Sequence, residues 1–79
     1  MKEDKNGRIE NYGSVVFKLD KVMKEKGLSK NKVAVGAGLN FRGLQGYYKG
    51  TISRIDCDVL ARLCAVCECE IDDIIEYKK

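Results

Sequence analysis

One stretch constrains this chain more than any other: residues 29–50, SKNKVAVGAGLNFRGLQGYYKG. Ser29 suits a helix N-cap, because its hydroxyl can accept from a free backbone N–H two or three residues on. Val33, Ala34 and Ala37 recur at three and four residues, which puts them on one helical face. Gly38 falls where that helix must stop, at a position that favours a left-handed backbone. Leu39 follows as an apolar anchor, Asn40 is a second N-cap, and Leu44, Tyr47 and Tyr48 form the next apolar stripe before Gly50. Cap, apolar face, glycine, cap, apolar stripe and glycine are the outline of a helix-turn-helix.

The outer face of the second helix carries Phe41, Arg42, Gln45 and Lys49. Positions 41, 42 and 45 occupy its first turn and a half, the part that such a motif inserts into a DNA major groove. Arg can pair with guanine O6 and N7, Gln with adenine N6 and N7, and a ring can touch a thymine methyl. A solvated face of a small helical hairpin would carry similar residues. Charge separates the two readings. Residues 18–54 hold nine Lys or Arg, Lys32 among them, against Asp20 and Glu25, a balance of +7. Residues 55–79 balance at −4 and residues 1–17 at zero, which returns the overall +3. A phosphate-facing surface concentrates positive charge in this way, whereas a solvated face mixes its signs.

With 79 residues the chain makes one domain with one modest core. No apolar run approaches the ~20 residues of a membrane span. The start, MKEDKNGR, lacks the apolar stretch of a signal peptide, so a cytoplasmic location is the default expectation. Residues 1–11 are polar and are expected to be a flexible segment, leaving residues 12–79 as the domain.

In residues 12–19, YGSVVFKL, the β-branched and aromatic side chains suit a short strand or an apolar lead-in to the next helix. Residues 18–26 read as a first helix with Leu19, Val22 and Met23 on one side, closed by Gly27. Asp56 is the N-cap of a fourth helix, on which Leu60, Leu63, Cys64 and Cys67 repeat at core spacing. A short fifth helix is predicted around residues 72–75. If the end beyond it is extended, Tyr77 can pair with a residue of the 12–17 stretch. The fold class is therefore all-α: five short helices, with short strands possible at the termini.

Cys57, Cys64, Cys67 and Cys69 could supply four zinc ligands. Against that, the first three lie on apolar positions of one helix, where free Cys packs as a small hydrophobe. The expectation is no metal and no cofactor. An enzyme is not expected either: there is no His, no phosphate-cradling glycine loop after a strand, and no length for a cleft.

From residue 16 to residue 77 the chain resembles the Cro/repressor-type (Xre) family of bacterial and phage DNA-binding proteins. That family commonly shows S-x-x-x-L-A-x-x-x-G-I-S at the turn, which stands here as Ser29, Val33, Ala34, Gly38, Leu39 and Asn40. The resemblance implies a lambda-repressor-like domain and a transcriptional regulator, commonly a repressor. It implies that Lys30 and Asn40 hold phosphates of double-stranded DNA. It further implies that Phe41, Arg42 and Gln45 face base edges, and that Lys49, Ser53 and Arg54 reach the backbone beyond. Family members usually bind palindromic sites as homodimers, one half-site per chain. A protein-interaction module such as an antitoxin, holding a protein partner, is the alternative.

The chain departs from the family at Gly36, where a larger residue is usual, and at Gly43 and Gly46 inside the proposed recognition helix. Each costs about 0.8–1.0 kcal/mol relative to Ala in a helix. Close approach to DNA, or a loose helix that orders on binding, would each account for the last two.

Overall fold

The computed structural model describes residues 2–3 and 7–79. Lys2–Glu3 (β1) and Ile9–Glu10 (β2) pair antiparallel. The flexible segment expected over residues 1–11 lies partly outside the described residues. A third strand, β3, spans Ser14–Phe17. Five helices follow: α1 Leu19–Lys26, α2 Lys30–Ala37, α3 Phe41–Lys49, α4 Cys57–Cys67 and α5 Ile71–Ile74. Ile75–Lys78 (β4) returns antiparallel to β3, with Val15 opposite Tyr77 and Phe17 opposite Ile75. The fold is all-α with short terminal strands, as the sequence suggested.

Side-chain oxygens start three of the helices. Ser29 Oγ accepts from the Lys32 N–H at 3.1 Å and Asn40 Oδ1 from the Gly43 N–H at 2.7 Å. Asp56 Oδ1 accepts from both Asp58 and Val59, at 2.9 and 3.3 Å. The turn between α2 and α3 rests on Gly38, whose φ of 67° lets the chain fold back. Its N–H and that of Leu39 then reach the Val35 and Ala34 carbonyls, at 3.1 and 2.8 Å.

One core joins all five helices. Leu19, Val22 and Met23 of α1 meet Val33, Ala34 and Ala37 of α2, Leu44 and Tyr47 of α3, Leu60, Leu63 and Cys67 of α4, and Ile74 of α5. Tyr47 does two jobs there. Its ring meets Phe17 edge-on with centroids 6.2 Å apart, and its hydroxyl accepts from the Asp56 N–H at 3.0 Å. Tyr47→Phe is expected to cost about 0.5–1.5 kcal/mol, because a part-buried N–H loses its partner. Thermal denaturation would read this as a lower midpoint.

The ladder of β3 and β4 clamps the chain ends beside α1. The Lys18 N–H donates to the Ile74 carbonyl at 2.6 Å, and the Lys18 ammonium lies 3.3 Å from Glu76 Oε1. The Tyr77 hydroxyl donates to the Tyr12 carbonyl. All four cysteines are free thiols. Cys67 is buried and Cys64 half-buried, but Cys57 is exposed. The apolar spacing that placed Cys57 with the core residues therefore fails at the first position of α4. There the chain is still emerging from its Asp56 cap.

Tight packing accounts for two of the three departing glycines. A Cβ on Gly36 would stand 2.9 Å from a methyl of Val66 on α4, and one on Gly46 would stand 2.5 Å from the Ile52 Cγ2 methyl. Gly36 lets α2 and α4 meet closely, and Gly46 lets the loop after α3 fold back onto its helix. Space on the inside of the domain, rather than an approach from outside, explains these residues.

Candidate nucleic-acid interface

The motif exposes one side of α3 and the first turn of α2. Arg42 and Lys49 are exposed two turns apart on α3, and Lys32 is exposed on α2. Among the described residues none of these three, nor Arg54, enters an ion pair or a side-chain hydrogen bond. Unpaired cations on a rigid face keep their full field for an incoming anion. Asn40 caps α3 through Oδ1, which leaves its Nδ2 amide to donate outward. The first-turn N–H groups of α3 and their dipole point in the same direction, which favours a phosphate.

Lys30 is used differently. Its ammonium lies 4.3 Å from the Tyr48 ring centre and 5.9 Å from that of Phe41. The half-buried side chain thereby ties the start of α2 to one side of α3. Phe41 remains 58% exposed even so. Exposed cation–ring pairs contribute about 0.5–1 kcal/mol, so Lys30→Ala is expected to lower the melting temperature by a few degrees in the absence of any DNA.

Gln45 sits between these groups, half-buried, with its Oε1 enclosed and lacking a partner among the described residues. Pairing with adenine needs Oε1 to accept and Nε2 to donate, so the amide must turn outward before it can read a base in that way. Ser53 and Arg54 are exposed in the loop joining α3 to α4.

Sequence reasoning passed over part of this surface. Lys21 and Lys24 of α1 line a groove with Asp20, Met23, Leu28, Lys30 and Tyr48. Three lysines and one aspartate thus line one depression beside the start of α2. The signal was present in the KLDKVMKEK run, where the lysines recur at three residues, but it was read only as charge. Glu68, Glu70, Asp72, Asp73 and Glu76 are exposed on and around α5.

A pair of short helices capped by Ser29 and Asn40, crossing at Gly38 and carrying unpaired cations, makes this a helix-turn-helix domain. The family model of the Cro/C1-type HTH DNA-binding domain matches residues 18–79, which is most of the chain. The chain belongs to that family, and its domain binds DNA. A comparison with curated proteins found no match. No helix among the described residues is long and apolar enough to cross a membrane.

Proposed function

We propose that the chain is a sequence-specific transcriptional regulator of the Cro/CI (Xre) type, with α3 laid in the major groove. The carrying observation is the α3 face itself. Arg42 and Lys49 stand exposed and unpaired there, above a helix start whose amide and N–H groups face the same way. Arg42, Phe41 and Gln45 reach base edges in this reading. Lys30, Lys32, Asn40, Lys49, Ser53 and Arg54 hold phosphates. Two copies bind a palindromic site of double-stranded DNA, one half-site each, in the cytoplasm of a bacterium, and no catalytic step is involved.

Binding to random duplex DNA against salt, followed by selection from a random-sequence pool, tests the reading. A log–log slope of several units reports released counterions, and one enriched palindrome reports sequence readout. Failure to bind at low salt overturns the proposal. One observation favours the second reading, a protein-interaction module such as an antitoxin. Val15 and Tyr77, paired across the β3–β4 ladder, are both more than half exposed, with Tyr12 exposed nearby. Co-purification of a stoichiometric protein partner, together with absent DNA binding, would select it.

A further inference from the structure

The end of α4 brings two thiols together. Glu68 adopts a left-handed backbone with φ of 50°, although it is not a glycine. Its N–H reaches the Ala65 carbonyl at 3.3 Å, and the Cys69 N–H reaches the Cys64 carbonyl at 3.1 Å. This double closure folds the residue after the turn back over the last helical turn, where an apolar contact normally forms. Here both contact positions are cysteines, Cys64 and Cys69. Lys26 of α1 pins the turn from outside, its ammonium donating to the Glu68 carbonyl at 2.7 Å.

Two features make the pair chemically competent. Each α-carbon is only one or two covalent bonds from an atom of the Cys69–Cys64 backbone hydrogen bond. The two α-carbons are therefore at most about 7 Å apart, the limit beyond which a disulfide cannot bridge them without backbone movement. Both residues are half-buried rather than enclosed, so a small oxidant can reach them. Cys67 is buried in the core, and Cys57 lies at the other end of α4.

We propose that Cys64 and Cys69 are a dithiol–disulfide pair, closed within one chain by hydrogen peroxide. One thiolate sulfur attacks the peroxide O–O bond, giving a sulfenic acid and releasing hydroxide, which takes up the displaced proton as water. The second sulfur attacks the sulfenic sulfur, the S–S bond forms, and the hydroxyl leaves as a second water with the second thiol proton. Two thiols and one peroxide thus give one disulfide and two waters, with two electrons passing from sulfur to oxygen.

The surroundings set how readily this happens. Burial raises both thiols above their ordinary range, Cys69 to about 11. Cys67 on α4 and Asp73 on α5 reinforce the rise at Cys69, and Glu70 and Asp73 reinforce it at Cys64. Lys26 from α1 opposes it at Cys69. The thiolates are therefore scarce at neutral pH, and closure accelerates as the pH rises toward 9. Closure also stiffens the motif's support, since Val66, which lies between these cysteines in the chain, packs against Gly36 of α2.

The test uses Cys57→Ser combined with Cys67→Ala, treated with peroxide at pH 9. The expected result is loss of both free thiols, a mass lower by two hydrogens, no increase in chain number, and a melting temperature higher by roughly 5–10 °C. Dithiothreitol reverses all of it. In the full chain, Cys64→Ser or Cys69→Ser leaves the intrachain bond unable to form, and circular dichroism confirms that each variant folds. Survival of both thiols at pH 9, linkage between two chains, or a gain of oxygen mass without loss of the two hydrogens overturns the proposal.

Discussion

Gly46→Ala destabilises the domain, although alanine is the better helix former. The substitution gains about 0.8–1.0 kcal/mol of helix propensity. Against that, its Cβ would stand 2.5 Å from the Ile52 Cγ2 methyl, a separation that atoms do not tolerate. Ile52 is branched at Cβ and stiff about χ1, so relief requires the loop to move away from α3. Overpacking costs about 1–3 kcal/mol, and a 2.5 Å approach to a stiff side chain lies in the upper half of that range, so the net loss is about 1–2 kcal/mol. For a domain of this size that is a fall in melting temperature of roughly 5–15 °C. Combined with Ile52→Ala, the loss should be smaller than the sum of the two single losses, because Ile52→Ala removes the methyl that collides while giving up its own packing. A melting temperature equal to or above that of the parent would show that the loop gives way freely and that Gly46 has another purpose.

Arg42→Ala weakens binding to the selected DNA site by about 1–3 kcal/mol, a factor of roughly 5–150, and relaxes the preference at one base position. Its exposure and its freedom from any ion pair among the described residues make this a clean deletion: no internal partner is orphaned. Lys32→Ala is the control, since it removes an equally unpaired cation from α2. It should weaken specific and random sequences alike and reduce the salt slope by about one unit. Competition titrations with both variants against the site and against random duplex separate the two roles. Equal losses on both DNAs for Arg42→Ala would remove it from base readout.

The helical frame was legible because local chemistry agreed with it at each step. Ser29, Asn40 and Asp56 cap because their oxygens reach backbone N–H groups within three residues, and no tertiary contact is needed for that. Gly38 turns the chain because its backbone freedom is its own. The apolar spacing of α1 to α4 named the core almost residue by residue, and failed at Cys57, where a helix's first position escapes its periodicity. The candidate interface was less legible. Phe41, Arg42, Gln45 and Lys49 follow from which side of α3 is apolar. That Gln45 hides its carbonyl oxygen, and that the Lys30 ammonium rests on Tyr48, depends on how α2 lies across α3.

By itself the sequence determined the order of the helices, the caps of α2, α3 and α4, the inward faces, and the separation of a cationic motif from an acidic tail, while α5 falls at Ile71–Ile74, one residue before the 72–75 expected. These rest on contacts within a turn or two of chain. Tertiary structure decided what the anomalous residues are for. Gly36 and Gly46 weaken helices when read locally, yet they are the points where Val66 and Ile52 come closest. That Tyr77 pairs with the 12–17 stretch was an expectation of the sequence, but that its partner is Val15 was not, because strands pair through backbone groups that every residue carries. The two thiols met because a non-glycine residue, Glu68, took the left-handed turn, and nothing in the spacing of Cys64 and Cys69 requires that. Short-range preferences are written in residue types. Close approach between distant segments is a matter of shape, and shape exists only once the chain is packed.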